Sequence, residues 1–172
     1  MIEFQSVESD LDRYSVLLSN LRALLAGEAD LIANSANTAA LLFHSLPDLN
    51  WAGFYFLRNS RGDLGRGEQL VLGPFQGKVA CVRIVLGKGV CGTAAKKRET
   101  IVVPDVDRFP GHIACDSASR SEIAIPFVMD GRLIGVLDLD SPILNRFKVE
   151  DAKGLEEIVR LVAESATLCL NT

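Results

Sequence analysis

Apolar residues recur at three- and four-residue steps near both ends of the chain, and hairpin-linked strand patterns lie between them. The helical spacing predicts helices at residues 8–26, 28–46 and 148–168. Asp130-Gly131 is a turn signal that favours positive φ, and strand patterns flank it at residues 122–129 and 133–139. Because hairpins pair strands antiparallel, the helices must cover one face of a single sheet. We therefore predict an α+β fold: a central antiparallel sheet with N- and C-terminal helices on one face and a ligand pocket with loops on the other.

Shorter patterns fill the middle of the chain. They predict strands at residues 50–58, 68–73, 79–86 and 100–103, and a short helix at about residues 92–98. Pro74 to Gly77 is a turn signal, and residues 107–120 form a polar loop. Loops on a rigid scaffold often carry functional residues.

Length and charge limit the kinds of function that this chain can have. The 172 residues fit one domain, with a core expected over about residues 8–168. The net charge is −4, and no basic run exceeds Lys96-Lys97-Arg98, which argues against a nucleic acid or an anionic membrane as partner. No apolar run approaches the roughly 18 residues of a membrane span, and the N-terminus lacks signal-peptide features. We therefore expect a cytoplasmic protein whose thiols stay reduced unless they react.

Three cysteines form the most informative pattern. Cys91 follows an apolar run within the glycine-containing stretch Gly87 to Ala95, where a strand turns into a helix. A helix N-terminus favours an anion and can lower a thiol pKa. Cys81 precedes this stretch and Cys115 follows it, so we predict one redox site. No tight C-x2-C pair is present, which disfavours zinc. Cys169, near the chain end, is interpreted as structural or as an idle surface thiol.

These motifs carry a family resemblance. The stretch Gly87-Lys88-Gly89-Val90-Cys91-Gly92-Thr93-Ala94, with Val103-Pro104-Asp105-Val106 after it, resembles the free methionine-R-sulfoxide reductases, which are GAF-domain proteins. Further matches are His112-Ile113-Ala114-Cys115-Asp116, Ser121-Glu122-Ile123 and Val136-Leu137-Asp138-Leu139-Asp140-Ser141. The resemblance implies reduction of free methionine R-sulfoxide to methionine, without metal or organic cofactor and with thioredoxin as reductant. It also makes a homodimer a reasonable expectation.

Sulfoxide reduction needs an attacking thiolate and a second thiol that condenses with the sulfenic acid to form a disulfide. The resemblance favours Cys115 as the attacking residue, with Cys91 and Cys81 as candidates for the resolving thiol. The helix terminus argues instead for Cys91 as the nucleophile, so the order stays open. Cys81 could also be an ordinary buried residue of a strand.

The sulfoxide oxygen must also accept a proton, and carboxyl groups can supply it. Alternation places Asp138 and Asp140 on one strand face, opposite Leu133, Leu137 and Leu139, with Glu122 across the hairpin. Neighbouring carboxylates raise one another's pKa values, and the remaining negative charge suits an ammonium group. We assign Asp140 and Glu122 to the sulfoxide end and Asp138 to the amino end. A solvated strand end is the alternative.

The rest of the substrate would meet aromatic rings and backbone amides. Trp51 and Tyr55 are candidates for packing against the sulfur and its methyl group, although either could be ordinary core. Backbone N–H groups at Val90 and Cys91 could hold the substrate carboxylate.

A second function fits the same fold. A stand-alone GAF domain could sense a small ligand, or a redox signal through Cys91 and Cys115. Sensor domains are usually joined to an output domain, for which this length leaves no room, and this favours the enzyme.

Overall fold

The computed structural model describes residues 10–60, 67–113 and 116–170. The helices are α1 Asp10–Leu25, α2 Leu31–Ser45, α3 Gly89–Lys97 and α4 Val149–Leu170. The strands are β1 Trp51–Ser60, β2 Gly67–Gly77, β3 Arg83–Val85, β4 Ile101–Val103, β5 Ser121–Met129 and β6 Arg132–Ser141. A single 3₁₀ turn, Val106–Arg108, lies between β4 and β5.

The strands form one six-stranded sheet in the order β3-β2-β1-β6-β5-β4. Every neighbouring pair is antiparallel. The Asp130-Gly131 turn joins β5 to β6, and both residues have positive φ, as the sequence signal required. The central strands are β1 and β6, so residues on these two strands are the best placed to build an enclosed site.

Helices α1, α2 and α4 cover one face of the sheet. Leu21, Leu42 and Ile158 from these helices are fully buried in one cluster with the inward side chains of β1, β5 and β6. The side chain of Asp30 caps α2 by accepting a hydrogen bond from the Ala33 N–H at 2.8 Å. The opposite face packs against α3 in a second, smaller cluster. The predicted α+β architecture, with helices on one face and the site on the other, is confirmed.

The middle of the chain differs from the sequence prediction in three places. Strand β2 continues to Gly77, because Gly73 and Pro74 form a bulge within the strand and not a turn that ends it. Strand β3 contains only Arg83–Val85, whereas we predicted a strand over residues 79–86. Helix α3 begins at Gly89, so Cys91 lies inside its first turn and not ahead of it.

A second bulge changes the orientation of one residue in β6. Phe127 pairs with Gly135, but Val128 pairs with Leu133, so β6 contains one extra residue. Leu137 and Leu139 belong to the helix-side core as predicted, while Leu133 packs against the opposite cluster. The expectation that Leu133 shares their face was wrong, because a bulge interrupts the alternation on which it rested.

Within the described ranges, none of the helices has the length and apolar character needed to cross a membrane.

Candidate active site

Strand register brings three carboxyl groups to the face that α1, α2 and α4 leave uncovered. Glu122 of β5 lies directly opposite Asp140 of β6, as the hairpin prediction required. Asp138 lies two residues before Asp140 on β6, and it pairs with Gly53 of β1. Glu122 and Asp138 are each only 6% exposed. The alternative of a solvated strand end is therefore wrong for these two residues.

A cavity opens over these carboxyl groups. Its walls include the predicted site residues Trp51, Tyr55, Val90, Cys91, Glu122, Asp138 and Asp140. Cys81 is half-buried and does not line the cavity, although its neighbours Val79 and Ala80 do. Cys115 lies outside the described residues. Ile113 and Asp116, the nearest described residues on either side of it, both line the cavity.

The N-terminus of α3 forms one wall. Lys88 occupies the N-cap position and makes no side-chain capping hydrogen bond, so the first-turn N–H groups are not capped by that side chain. Gly92 allows this turn to lie close to the sheet edge, because a Cβ there would lie 2.4 Å from the carbonyl oxygen of Val85. The backbone at Val90 therefore meets the cavity at a helix end that attracts anions.

Cys91 is buried among acids. Its Sγ lies 3.8 Å from Oε1 of Glu122. Burial raises the pKa of the Cys91 thiol well above its ordinary value, and the charges of Asp138 and Glu122 add to this shift. Burial and the two nearby carboxyl groups oppose the activation of Cys91 that was expected from the helix terminus. Cys91 is therefore a protonated thiol at neutral pH.

The three carboxyl groups are also biased towards their protonated forms. Burial is the main cause for each one. It raises the pKa of Glu122, with repulsion from Asp140 second. Burial also raises the pKa of Asp138, and repulsion from Glu122 is the second cause. For Asp140, burial is again the main cause of the raised pKa, and repulsion from Asp138 is the second. Like charges this close together repel one another, so the three groups favour retention of protons more than isolated carboxyl groups would.

Asp138 has an unused acceptor. Its Oδ1 atom is buried and makes no hydrogen bond with any residue that the structure describes. A buried polar atom without a partner costs about 1–3 kcal/mol and is rare in folded proteins. An N–H donor on a ligand would satisfy it.

Sequence reasoning missed His112 as a site residue. Its Nε2 atom lies 3.3 Å from Oε2 of Glu122, and its side chain is 14% exposed. Burial lowers the pKa of His112, partly offset by the charge of Asp107. The lowered pKa of His112 and the raised pKa of Glu122 both weaken the charge on this close pair. The histidine-containing loop was recognised in the sequence, but no spacing rule tied His112 to Glu122.

Asp116 bonds to the backbone of its own loop, a role that its residue type indicates, and it also contacts two other segments. Its carboxylate accepts hydrogen bonds from the N–H of Ala118, from Lys78 Nζ and from Asn50 Nδ2. These bonds, led by the Ala118 N–H, hold the pKa of Asp116 below its usual value. Asp116 therefore ties the chain immediately after Cys115 to the residue that follows β2 and to the residue that precedes β1.

Aromatic rings form the apolar end of the cavity. Trp51 stacks between Tyr55 and Phe75, with ring-centroid distances of 5.8 Å and 5.4 Å. The Trp51 indole N–H donates to the carbonyl of Lys78 at 3.1 Å. A Cβ at Gly53 would lie 2.4 Å from Cβ of Phe75 and 2.6 Å from the Trp51 ring, so this stack requires glycine there. Trp51 and Tyr55 line the cavity while also packing in the second core cluster, so both readings of the sequence apply.

The acidic corner also has a possible metal-binding geometry. One ligand atom from each of Cys91, Glu122 and Asp138 lies within 4.8 Å of the other two. Metal binding requires deprotonated ligands. The raised pKa values of these three groups oppose it.

Comparison with known proteins places the chain in a family. A family model for the GAF domain matches residues 10–166. Free methionine-R-sulfoxide reductase of Escherichia coli (strain K12) is 51% identical over 146 residues, which cover 85% of this chain and 84% of that protein. The enzyme of the same name from Saccharomyces cerevisiae is 43% identical, covering 87% and 83%.

A solved structure agrees with these relatives. Free methionine-R-sulfoxide reductase from Neisseria meningitidis, determined in complex with its substrate, superposes with a TM-score of 0.88 and 43% identity. The match covers 99% of this chain and 98% of that chain. The fold and the cavity over the open sheet face therefore define a GAF-domain protein. Within that class, the chain belongs to the free methionine-R-sulfoxide reductase family.

Proposed function

We propose that this protein reduces free L-methionine (R)-S-oxide to L-methionine. The observation that carries the proposal is the cavity itself, which combines three carboxyl groups whose pKa values are raised with a thiol and with the chain that leads into Cys115. Sulfoxide reduction needs both an acid and a thiol nucleophile. The named function of the relatives supports the same chemistry.

In the first step, the thiolate of Cys115 attacks the sulfoxide sulfur while a carboxyl group of Glu122 or Asp140 gives its proton to the oxygen. The new bond between Cys115 Sγ and the methionine sulfur then breaks together with the S–O bond as the protonated oxygen transfers to Sγ, so Cys115 becomes a sulfenic acid and methionine leaves. Protonation is needed because oxide is a poor leaving group. Glu122 is the better donor of the two, since burial and the neighbouring Asp140 raise its pKa and its carboxyl group lies beside Cys91.

In the second step, another thiol attacks the sulfenic acid, a disulfide forms and water leaves. Cys81 and Cys91 remain the candidates for this thiol. Cys81 is half-buried and follows the cavity-lining residues Val79 and Ala80, whereas Cys91 is 2% exposed and lies against Glu122. A disulfide that must later be reduced from outside is better placed at the more accessible cysteine. We therefore favour Cys81.

Free methionine sulfoxide offers an ammonium and a carboxylate that a peptide residue lacks. The unpartnered Oδ1 of Asp138 suits the ammonium group, and the first-turn amides of α3 near Val90 suit the carboxylate. Trp51 and Tyr55 supply an apolar wall for the sulfur and its methyl group. This arrangement would select the free amino acid.

The proposal extends to thioredoxin as the reductant, which suits a reducing compartment such as the cytoplasm. It also includes a homodimer formed through the terminal helices. Val16 and Leu24 of α1 are 47% and 44% exposed, which leaves apolar surface for a second copy.

Substrate selectivity tests the proposal. With dithiothreitol as reductant, the R epimer of free methionine sulfoxide should be reduced, while the S epimer and N-acetylmethionine R-sulfoxide should react at least about a hundredfold more slowly. That factor corresponds to about 3 kcal/mol, the upper end of the cost of leaving a buried polar group without a hydrogen-bond partner. Equal reduction of the free and acetylated compounds would contradict the role given to Asp138.

A further inference from the structure

The chain from Gln69 to Arg98 has an unusual charge. It contains six basic residues and no acidic one, in a protein whose net charge is −4. Three of the six, Lys78, Arg83 and Lys88, fall within the 78–88 segment, which connects β2 to α3 and contains Cys81. All three are exposed, and Arg83 and Lys88 form no salt bridge with any described residue.

The same 78–88 segment exposes apolar side chains. Val79, Val82 and Val85 are 86%, 63% and 52% exposed. Valines normally contribute to a core, and an apolar group rimmed by charges on a protein surface marks an interaction site. Strand β3 within this segment is also an edge strand of the sheet.

We propose that the 78–88 segment is the docking surface for an acidic-surfaced dithiol reductase of the thioredoxin class. The inference rests on the proposed function, because it concerns the disulfide that sulfoxide reduction leaves behind. Its occupant follows from charge complementarity with Arg83 and Lys88, from the exposed valines, and from the chemistry that must occur at Cys81.

That chemistry requires close approach. A thiolate of the partner attacks Sγ of Cys81, the protein disulfide breaks, and the other cysteine leaves as a thiolate. The partner's second thiol then attacks the mixed disulfide and releases Cys81, so the partner supplies both electrons. Of Cys81 and Cys91, Cys81 is the more accessible to this attack, since Cys91 is buried.

Two substitutions separate docking from chemistry. Val82→Ser removes apolar surface and Arg83→Glu reverses a rim charge, and neither residue lines the cavity. Val149→Ser and Lys153→Glu on α4 are the matched controls, because Val149 has the same 63% exposure as Val82 and Lys153 is also exposed. Turnover is measured with thioredoxin, thioredoxin reductase and NADPH, and separately with dithiothreitol.

We expect each docking variant to lower kcat/KM for thioredoxin about tenfold, a typical loss for one interface contact, and Arg83→Glu to weaken its salt dependence. Turnover with dithiothreitol should stay within about twofold of wild type for all four variants, an allowance for the modest effects of surface substitutions. Wild-type kcat/KM for thioredoxin in both docking variants would overturn the proposal. So would recycling of the wild-type protein by glutathione and glutaredoxin but not by thioredoxin.

A trapping experiment checks the attacked sulfur. A thioredoxin that lacks its second active-site cysteine should accumulate a mixed disulfide with Cys81, located by peptide mass spectrometry. A mixed disulfide at Cys91 would contradict the inference. Failure of the proposed function would look different, since no methionine would form with dithiothreitol either.

Discussion

Burial gives Asp138, a residue of the cavity, a pKa and, within the described chain, an unpaired oxygen that it would not have in water. Asp138 is buried, its pKa is raised first by burial and then by Glu122, and one of its oxygens lacks a partner among the described residues. Burial of such a group lowers the free energy of unfolding, but it leaves the group able to bind a ligand. The cost depends on pH, because it exists only where the unfolded chain would ionise the same group.

Asp138→Asn should therefore stabilise the protein at pH 8 and not at pH 4. Below the unfolded pKa of about 3.9, both states hold the proton and the group contributes nothing. Above it, the unfolded state ionises while the folded state resists, so wild-type stability falls as pH rises towards the raised pKa. We expect a gain of at least about 1 kcal/mol at pH 8, equivalent to one pKa unit.

Urea unfolding at the two pH values measures this difference. Asp130→Asn is the control, because Asp130 is exposed in the β5–β6 turn. A gain in the Asp138 variant that is equally large at pH 4 would mean that the carboxyl group is not the source of the cost.

Residues also show where sequence reasoning ended. The Glu122, Asp138 and Asp140 cluster was predictable, because strand alternation and a hairpin turn fix which side chains share a face. The protonated state of Cys91 was not predictable. It depends on burial and on two acids from other strands, which sequence spacing does not reveal. The contact between His112 and Glu122 was hidden for the same reason.

Among the secondary-structure elements, α1 and α4 are joined by hydrogen bonds around Asp151. The hydroxyl of Tyr14 donates to Asp151 at 2.8 Å, and Arg146 forms an ion pair with the same carboxylate at 3.2 Å. Asp151 also accepts the N–H of Lys148, which caps the start of α4. Gly154, one turn later, lies under the Tyr14 ring.

Gly154→Ala should destabilise the protein even though alanine is the better helix former by about 1 kcal/mol. The added Cβ would lie 2.2 Å from the Tyr14 ring, which its hydrogen bond to Asp151 holds in place. Overpacking of this kind costs about 1–3 kcal/mol, so the net change in the free energy of unfolding should be a loss.

Denaturant unfolding provides the measurement, with Lys153→Ala as an exposed control on the same helix. If Gly154→Ala proves as stable as that control, the packing of Tyr14 against α4 is not as tight as the structure indicates.

The elements that sequence patterns misjudged share a cause. Gly73 and Pro74 are turn formers, but bulges use the same residues, and β2 continues past them. Residues 79–82 are apolar enough for a strand, yet they lie outside β3 and Val79 and Val82 are exposed. Local composition does not distinguish a buried strand from an apolar surface.

On the scale of the whole molecule, the core and the site occupy opposite faces of one sheet. The helix face contains the larger apolar cluster, and the other face carries the cavity and α3. This separation lets α1 and α4 contact a second copy without blocking the cavity.

A homodimer through these helices should be disrupted by charge on α1. Val16→Lys combined with Leu24→Lys places two charges on the exposed apolar surface, where like charges from two copies would meet. Sedimentation equilibrium should give twice the chain mass for wild type and the chain mass for the variant. Wild type that sediments as a monomer, or a variant that still dimerises, would contradict this arrangement.

The most direct test of the account uses a single turnover. Reduced protein is mixed with a slight excess of free methionine R-sulfoxide and no other reductant, and methionine and disulfides are quantified by mass spectrometry. The account predicts about one methionine per chain and a disulfide that includes Cys115, consistent with the two-thiol chemistry of sulfoxide reduction. Cys91→Ser should still release methionine, whereas Cys115→Ser should release none. No methionine from the R epimer, with every thiol still reduced, would contradict the reductase and favour a ligand-sensing GAF domain.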